Sequence, residues 1–320
     1  SLEVPTELFQ LTTKNTTEVM KPALDKNTAE KIAHKLVEAQ KPVIHAGGGV
    51  RSAQAGKVLQ ALIEHLEIPL SRSLMAQSVI PDDHPLMLGQ TGFWGSEFTH
   101  NFTKNADLIF GVGTRFAEAD SSSWYEGVTF DSEKTTFIQL DIDPQEIGRN
   151  YPVEIGAVAD PRIALEQILE EVKRLVPEPR KNSTLIQTIN AEREKFEQEN
   201  SAIRNDDRYP MTPQRILRDV KKVLPEDALI FTDVGWNKNG VGQQYGVKVA
   251  ETIFHPSGLA TMGFGPAAVI GAKLGSLDKV VVTLVGDGGF GTNPSVLATA
   301  REMNLPIIWI VMNNSAFGTI

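Results

Sequence analysis

Val280-Val281-Val282-Thr283-Leu284-Val285 runs into Gly286-Asp287-Gly288-Gly289, and a second apolar run, 307–312, ends in Asn313-Asn314. Short apolar runs bounded by turn residues read as buried parallel strands, which predicts strands over 280–285 and 305–312. The stretch between them predicts a helix over about 294–303. In such a strand–helix–strand unit both strands run the same way, so their carboxyl ends lie side by side, where open α/β sheets bind ligands. Asp287 and Asn314 then offer one carboxylate and one amide oxygen at neighbouring strand ends. Mg²⁺ wants oxygen ligands and is usually held by one or two protein groups plus the oxygens of a phosphorylated ligand, and this pair fits that sparse set. Gly286, Gly288 and Gly289 remove side chains where a diphosphate must approach the backbone, whose N–H groups favour the anion.

Two other glycine motifs compete with this reading. Gly286-x-Gly288-x-x-Gly291 after a strand is a literal dinucleotide fingerprint, but that fold requires an acidic residue about 20 positions on. Residues 304–312 contain none, and the paired asparagines would go unexplained. Residues 49–57 resemble a P-loop, yet the glycine spacing is too long and Val58 stands where a Ser or Thr should reach Mg²⁺. ATP hydrolysis is not supported.

The composition is that of a water-soluble α/β enzyme. A length of 320 residues suggests two domains, and 41% apolar content fills two cores. A net charge of −9 gives no general reason to bind nucleic acid or an anionic membrane. The absence of cysteine excludes disulfides, thiolate catalysis and cysteine metal sites. No apolar stretch approaches the length of a membrane span, and no signal-peptide pattern opens the chain, so a cytoplasmic location is expected. Asn15-Thr16-Thr17 and Asn101-Phe102-Thr103 match glycosylation acceptors by chance in that setting.

Outward from the decisive stretch, Pro42-Val43-Ile44-His45-Ala46 predicts a strand, followed by the Gly47-Gly48-Gly49 turn and a helix over about 52–65. Strands are expected at 108–112, 136–140 and 155–158, then a helix from 161 to 175 with proline in its first turn. Together these predict a doubly wound domain over 1–180. The Pro177-Glu178-Pro179-Arg180-Lys181-Asn182 break and a polar helix over 183–200 mark a linker, 181–208. A second domain, 209–320, opens with a helix over 212–223, for which Thr212 and Pro213 supply the cap and first position, and continues into a strand over 228–232. That strand delivers Asp233-Val234-Gly235 to the same sheet edge. The fold class expected is therefore α/β, with two doubly wound parallel-sheet domains. The six histidines show no metal spacing; His255 could approach a substrate.

Gly286-Asp287-Gly288 followed by Asn313-Asn314 resembles the signature of thiamine diphosphate-dependent enzymes. The stretch Gly258-Leu259-Ala260-Thr261-Met262-Gly263-Phe264-Gly265, together with Leu140-Asp141-Ile142-Asp143-Pro144 and Glu146-Ile147-Gly148, resembles the acetolactate synthase branch in particular. The likeness implies a Rossmann-like central domain and a C-terminally incomplete domain for thiamine diphosphate and Mg²⁺. It implies metal ligation by Asp287, Asn314 and Ala316, and diphosphate contacts by Gly235, Trp236, Asn237, Gly286, Gly288, Gly289 and Phe290. A lone methionine in a glycine-rich segment is ordinarily core filler. The resemblance instead implies that Met262 wedges between the two rings of the cofactor and that the Ala260 carbonyl accepts from its 4′-amino group, so that the bent cofactor removes its own proton.

The same likeness places a flavin, an ADP or no nucleotide on the first domain, at Gly47, Gly48, Arg115, Asp141, Ile142 and Asp160. Two departures from the branch stand out: the residues after Gly235 are not Gln-His-Gln, and Arg115-Phe116-Ala117-Glu118-Ala119-Asp120 replaces Arg-Phe-Asp-Asp-Arg. On the residues alone, Asp141 and Asp143 are equally strand-end carboxylates that cap a following helix. The implied activity makes or breaks a carbon–carbon bond on a 2-oxo acid, as acetolactate synthases, decarboxylases, lyases and dione hydrolases do. A noncatalytic nucleotide-binding module is the alternative. The implied partners are a small 2-oxo acid and further copies of the chain, as a homodimer or homotetramer, without nucleic acid or membrane. No pyrimidine-binding domain with its glutamate is found, Glu3-Val4-Pro5 resembles the junction after one, and the chain alone is expected to be inactive.

Overall fold

The computed structural model describes residues 19–256 and 258–319. The Glu3-Val4-Pro5 junction and the Asn15-Thr16-Thr17 acceptor lie outside the described residues.

The chain enters helix α1 (Lys26–Glu38) through Asp25, whose carboxylate accepts from the Thr28 N–H at 3.0 Å. Ala29, Ile32, Ala33 and Leu36 recur at the spacing of one helix face, and that face is buried. There follow β1 (Pro42–Ala46), α2 (Gly48–Ser52), α3 (Gly56–Leu66), β2 (Leu70–Arg72), β3 (Met87–Gln90) and α4 (Glu97–Thr103). Strands β4 (Leu108–Val112), β5 (Thr136–Asp141) and β6 (Ile155–Val158) and helix α5 (Pro161–Leu175) complete the unit. The strands pair in the order β3-β2-β1-β4-β5-β6, every pair parallel. Alternate residues of each strand go to opposite faces. Ile44, Ala46, Leu108, Phe110, Val112 and Leu140 join the core under α1, α3 and α5. Val43, Ile109 and Phe137 join an aromatic core with Phe116, Phe130 and Tyr151 on the other face.

Helix α6 (Ser183–Arg204) leads to α7 (Pro213–Val223), β7 (Leu229–Thr232), α8 (Trp236–Gln244), β8 (Ile253–Phe254) and α9 (Phe264–Gly275). Then come β9 (Val281–Gly286), α10 (Asp287–Gly291), α11 (Val296–Glu302) and β10 (Ile308–Met312). These strands form a second parallel sheet, β10-β9-β7-β8. Its two faces are again sorted by alternation: Ile230 and Leu284 go to one core, Phe231 and Val281 to the other. The expected α/β class with two parallel-sheet units is therefore present. Among the described residues no helix is long and apolar enough to cross a membrane.

Several elements differ from the sequence expectation. The helix expected over 52–65 is two helices, α2 and α3, divided at Gln54, which takes a left-handed φ of 54°. The strand expected from 305 begins at Ile308, because Pro306 has no N–H to give a ladder. The helix expected over 183–200 continues to Arg204, and the one expected over 294–303 shrinks to α11. Asp141 and Asp143 cap no helix; their side chains accept from the N–H groups of Asp143 and Gln145, 3.0 and 2.9 Å away, and so fasten a turn.

The two units meet through polar contacts. The Gln77 amide donates to the carbonyls of Val241 and Tyr245, both at 3.1 Å, and Arg72 donates to Gly242 at 3.1 Å. Arg51 donates to the carbonyls of Ile253 and Gln77. Helix α6 is docked on the first unit as well, since Arg193 donates to the carbonyls of His84 and Met87.

Candidate cofactor and metal site

Parallel pairing sets Gly286 at the end of β9 opposite Met312 at the end of β10, and Thr232 at the end of β7 opposite Leu284. Asp287, Asn313-Asn314 and Asp233-Val234-Gly235 consequently leave the sheet on one carboxyl rim, as the strand–helix–strand reading requires. The glycine-rich stretch from Gly258 reaches that rim through Asp233. This carboxylate is fully buried and accepts from the N–H of Val234 at 2.8 Å, of Gly263 at 3.2 Å and of Gly265 at 2.9 Å. Asn237 closes the same turn: its oxygen accepts from the Asp233 N–H at 3.0 Å and its amide donates to the Val234 carbonyl at 3.0 Å.

The glycines of the rim are held by close approach. A Cβ on Gly289 would stand 2.7 Å from an Asp233 oxygen, and one on Gly288 would stand 2.6 Å from the Phe317 ring and 3.1 Å from the Met262 methyl. Gly286 to Gly289 thus form the first turn of α10 with no side chain between backbone and rim, and such a turn leaves its N–H groups without intrahelical partners. The Asp287 side chain makes no hydrogen bond or ion pair among the described residues. Asn314 accepts from the Ala316 N–H at 3.3 Å, which curls the exposed 313–318 loop around its side chain. A free carboxylate, an amide oxygen and a bare backbone turn on one rim fit a hydrated divalent cation and a diphosphate. Among the described residues there is no cluster of three or more His, Cys, Asp or Glu side chains for a metal, so a cation here depends on few protein ligands.

Met262 is half-buried beside Gly288, rather than sunk in a core. Ala260 takes a left-handed φ of 48°, a conformation that costs a non-glycine residue on the order of 1 kcal/mol. Trp236 contributes no side chain to the rim: its indole lies over Gly240 on its own helix and joins a core, so only its backbone is available. Phe317 against Gly288, Thr319 beside Gly235 and Asp233 itself are rim residues to which the sequence reading assigned no role. Only the position of Asp233 at a strand end hinted at its part.

On the first sheet the switch between β1 and β4 lies at the Gly47–Gly49 turn and at Gly113-Thr114. Gly49 and Gly113 pack so closely that a Cβ on either would stand 2.7 Å from the other's Cα. A Cβ on Gly47 would stand 2.6 Å from the Thr114 Cα. These glycines are therefore accounted for by backbone packing. Asp160 is accounted for as well: it caps α5 by accepting from the N–H groups of Arg162 and Ile163, and pairs with Lys21 at 2.8 Å. These contacts hold its carboxyl below the usual range. Arg115 and Ile142 are exposed, while Asp141 is partly buried, which pushes its carboxyl upward.

His255 is enclosed within the protein. It is buried between the units, with Nδ1 2.8 Å from Thr232 Oγ1 and Nε2 2.7 Å from Gln77 Oε1. Burial, with Arg72, Arg51 and Lys238 nearby, holds its pKa well below the ordinary value. His45 is buried in the aromatic core against Phe116 and Phe130, and burial lowers its pKa to about 3.

Residues 29–168 match the thiamine pyrophosphate enzyme central domain, and residues 233–320 match the thiamine pyrophosphate enzyme C-terminal TPP binding domain. The chain belongs to the thiamine pyrophosphate enzyme family. The second match begins at Asp233, the carboxylate that organises the rim. Among curated relatives, a probable acetolactate synthase large subunit of Methanocaldococcus jannaschii is 31% identical over 299 residues, 91% of this chain and 49% of that protein. The acetolactate synthase large subunit of Lactococcus lactis is 30% identical over 97% of this chain and 54% of its own length. A glyoxylate carboligase of Escherichia coli is 29% identical over 94% of this chain and 50% of its own length. This thiamine pyrophosphate family chain spans about half the length of the curated relatives it matches.

Proposed function

We propose that this chain is the central and diphosphate-binding part of a thiamine diphosphate- and Mg²⁺-dependent enzyme that makes or breaks a carbon–carbon bond on a 2-oxo acid, most like an acetolactate synthase. One observation carries the reading: Gly286 and Met312 are paired partners, so Asp287 and Asn313-Asn314 leave adjacent strands on one rim. When bound, the cofactor supplies a carbon nucleophile for attack on a carbonyl. The chain's residues position it. Asp287, Asn314 and Ala316 would hold Mg²⁺, and the N–H groups of 286–289, with the Gly235–Asn237 turn, would receive the diphosphate. Met262 and Ala260 would set the shape of the bound cofactor, and Asp233 fixes the segment that carries them by tying Gly263 and Gly265 to the β7 turn. The working division is 1–180 for the central domain, 181–208 for the linker and 209–320 for the diphosphate domain.

Arg115 and Ile142 are exposed on the first rim and so are accessible to a nucleotide there, which the resemblance leaves as FAD, ADP or none. Leu259, Phe264 and Phe317 leave apolar surface exposed beside the rim, which supports coverage by another protein surface in a homodimer or homotetramer. The compartment assigned is the cytoplasm.

Calorimetric titration of the full-length protein tests this. Thiamine diphosphate should bind only with Mg²⁺ present, and Asp287→Asn should weaken that binding on the order of tenfold or more. An Asp287→Asn protein that binds as tightly as the parent refutes the metal assignment. The same titration with FAD and with ADP decides the nucleotide of the first rim.

A further inference from the structure

A cavity of about 1120 Å³ lies where helix α6 meets both units. One wall comes from the carboxyl ends of β2 and β3, at Arg72 and Gln90, and a second from α6, at Phe196 and Arg204. A third comes from α7 and the end of α8, at Gln214, Lys221 and Gln244. The rings of Phe98 and Phe102 on α4, edge to face with centroids 5.1 Å apart, supply an apolar side. None of the residues assigned above to the nucleotide of the first rim, or to the cofactor and metal of the second, lines this space.

Its polar groups are only partly used. Arg72 is 3% exposed; its Nε meets Asp82 at 3.1 Å and its Nη2 donates to the Gly242 carbonyl at 3.1 Å, while Nη1 has no partner among the described residues. Gln90 is 6% exposed, and its Oε1 is likewise unpartnered. A Cβ on Gly242 would stand 2.3 Å from that oxygen, so the two side chains end at one point of α8. On the other walls the buried Nη2 of Arg204 and the buried Oε1 atoms of Gln214 and Gln244 lack partners as well. Buried polar atoms in folded proteins nearly always have partners, so five orphans around one cavity mark a place built for groups that arrive with a ligand.

The cations set the sign of that ligand. Lys221 is exposed at the mouth, and among the described residues no carboxylate lies within 4.0 Å of it. A Cβ on Gly246 would stand 3.9 Å from the Lys221 Nζ and 3.7 Å from the Asp82 Cβ, which places Asp82 between Lys221 and Arg72. Asp82 also accepts from the Val247 N–H at 3.2 Å. One carboxylate thus stands against two cations, in a space that can admit an anion. A phosphate takes separate donors from a guanidinium and an ammonium, and glutamine amides, each both donor and acceptor, suit hydroxyl groups or ring nitrogens.

We infer that this cavity binds an organic phosphate, a phosphomonoester on a sugar or nucleoside body. The phosphate sits between Arg72 and Lys221, and the body lies against Gln90, Gln244 and the Phe98–Phe102 side. The inference is independent of the function proposed above. Because the walls belong to both units and to α6, an occupant ties the three together.

Calorimetric titration of the full-length protein with ribose 5-phosphate, adenosine 5′-monophosphate, adenosine and inorganic phosphate tests this. At least one of the two esters should bind with a dissociation constant below about 1 mM, roughly tenfold or more tighter than adenosine or inorganic phosphate, and should raise the melting temperature. Saturating FAD, or thiamine diphosphate with Mg²⁺, should not displace it. Lys221→Met and Arg72→Met should each weaken ester binding by roughly tenfold, while thiamine diphosphate affinity moves by less than about threefold. Should Arg72→Met unfold, Lys221→Met, which alters an exposed side chain, carries the test. Failure of both esters to bind, displacement by either cofactor, or unaltered ester affinity in Lys221→Met overturns the inference. Inorganic phosphate that binds as tightly as both esters means an adventitious ion only and overturns it too. A protein that binds an ester but no thiamine diphosphate keeps this site and refutes the proposed function instead.

Discussion

Asp233 shows how one buried side chain assembles a site from segments far apart in sequence. Its carboxylate satisfies three N–H groups, two of them on the stretch at Gly263 and Gly265. Leaving a buried donor unmade costs about 1–3 kcal/mol each, so Asp233→Ala should lower unfolding free energy by about 3 kcal/mol or more. Denaturant titration checks this, and a loss below about 1 kcal/mol contradicts it. Gly288 makes a gentler probe, because the Cβ of an alanine would press on the exposed Phe317 ring and the Met262 methyl rather than on backbone. Gly288→Ala should keep the parent's melting temperature within a few degrees, an effect below about 1 kcal/mol, yet weaken thiamine diphosphate binding. The placement of Asp287, Asn314 and the glycines on one rim was legible in the sequence because it is set locally: a parallel strand and the bare turn after it announce themselves in a few residues. Asp233 was not, since its partners lie around thirty positions away with nothing between to link them.

At the scale of elements, strands such as β1 and β4 and the helix α5 were readable from periodicity and caps, whereas β2 and β8 have three and two residues, too few to show any alternation. Helix α9 was hidden for a different reason: Gly265, Gly271 and Gly275 break the usual composition of a helix, and Gly265 is there to pass under Thr232 and Thr283. Asp160 illustrates a signal that was present and weighed toward another role. An aspartate directly before a proline marks the start of a helix, and the structure uses it so. Asp160→Ala should therefore cost about 1 kcal/mol through the lost cap. Its effect should appear as a lower melting temperature while affinity for FAD or ADP stays the same. A variant that melts like the parent but loses nucleotide affinity would return Asp160 to the ligand.

At the scale of the whole molecule, the two sheets are joined by polar contacts around His255, and the aromatic core of the first sheet encloses His45, so stability depends on pH chiefly through these two buried imidazoles, with His100, also lowered by burial, acting in the same sense. Both have folded pKa values depressed below 6.5, one of them to about 3. Above the ordinary histidine value folded and unfolded chains are both neutral there, and neither group alters stability. Below it the unfolded chain takes up protons that the folded chain refuses, so stability falls as pH falls, by about 1.4 kcal/mol per pH unit for each imidazole. For His45 the loss continues down to the folded value near 3. Asp120, Asp141, Glu251 and Glu67 have carboxyl groups raised by burial and oppose this trend, because they bind protons more readily when folded. The upper part of the window between the ordinary histidine and carboxylate values is where the imidazoles weigh most. Denaturant unfolding at several pH values across that window should show stability falling with pH by two protons or more, from His45, His255 and the likewise depressed His100, and His255→Gln should remove about one of them. A parent whose stability is flat across the window would mean that both rings gain solvent or a compensating partner, and that the junction at Gln77 and Thr232 is looser than the hydrogen bonds to His255 describe.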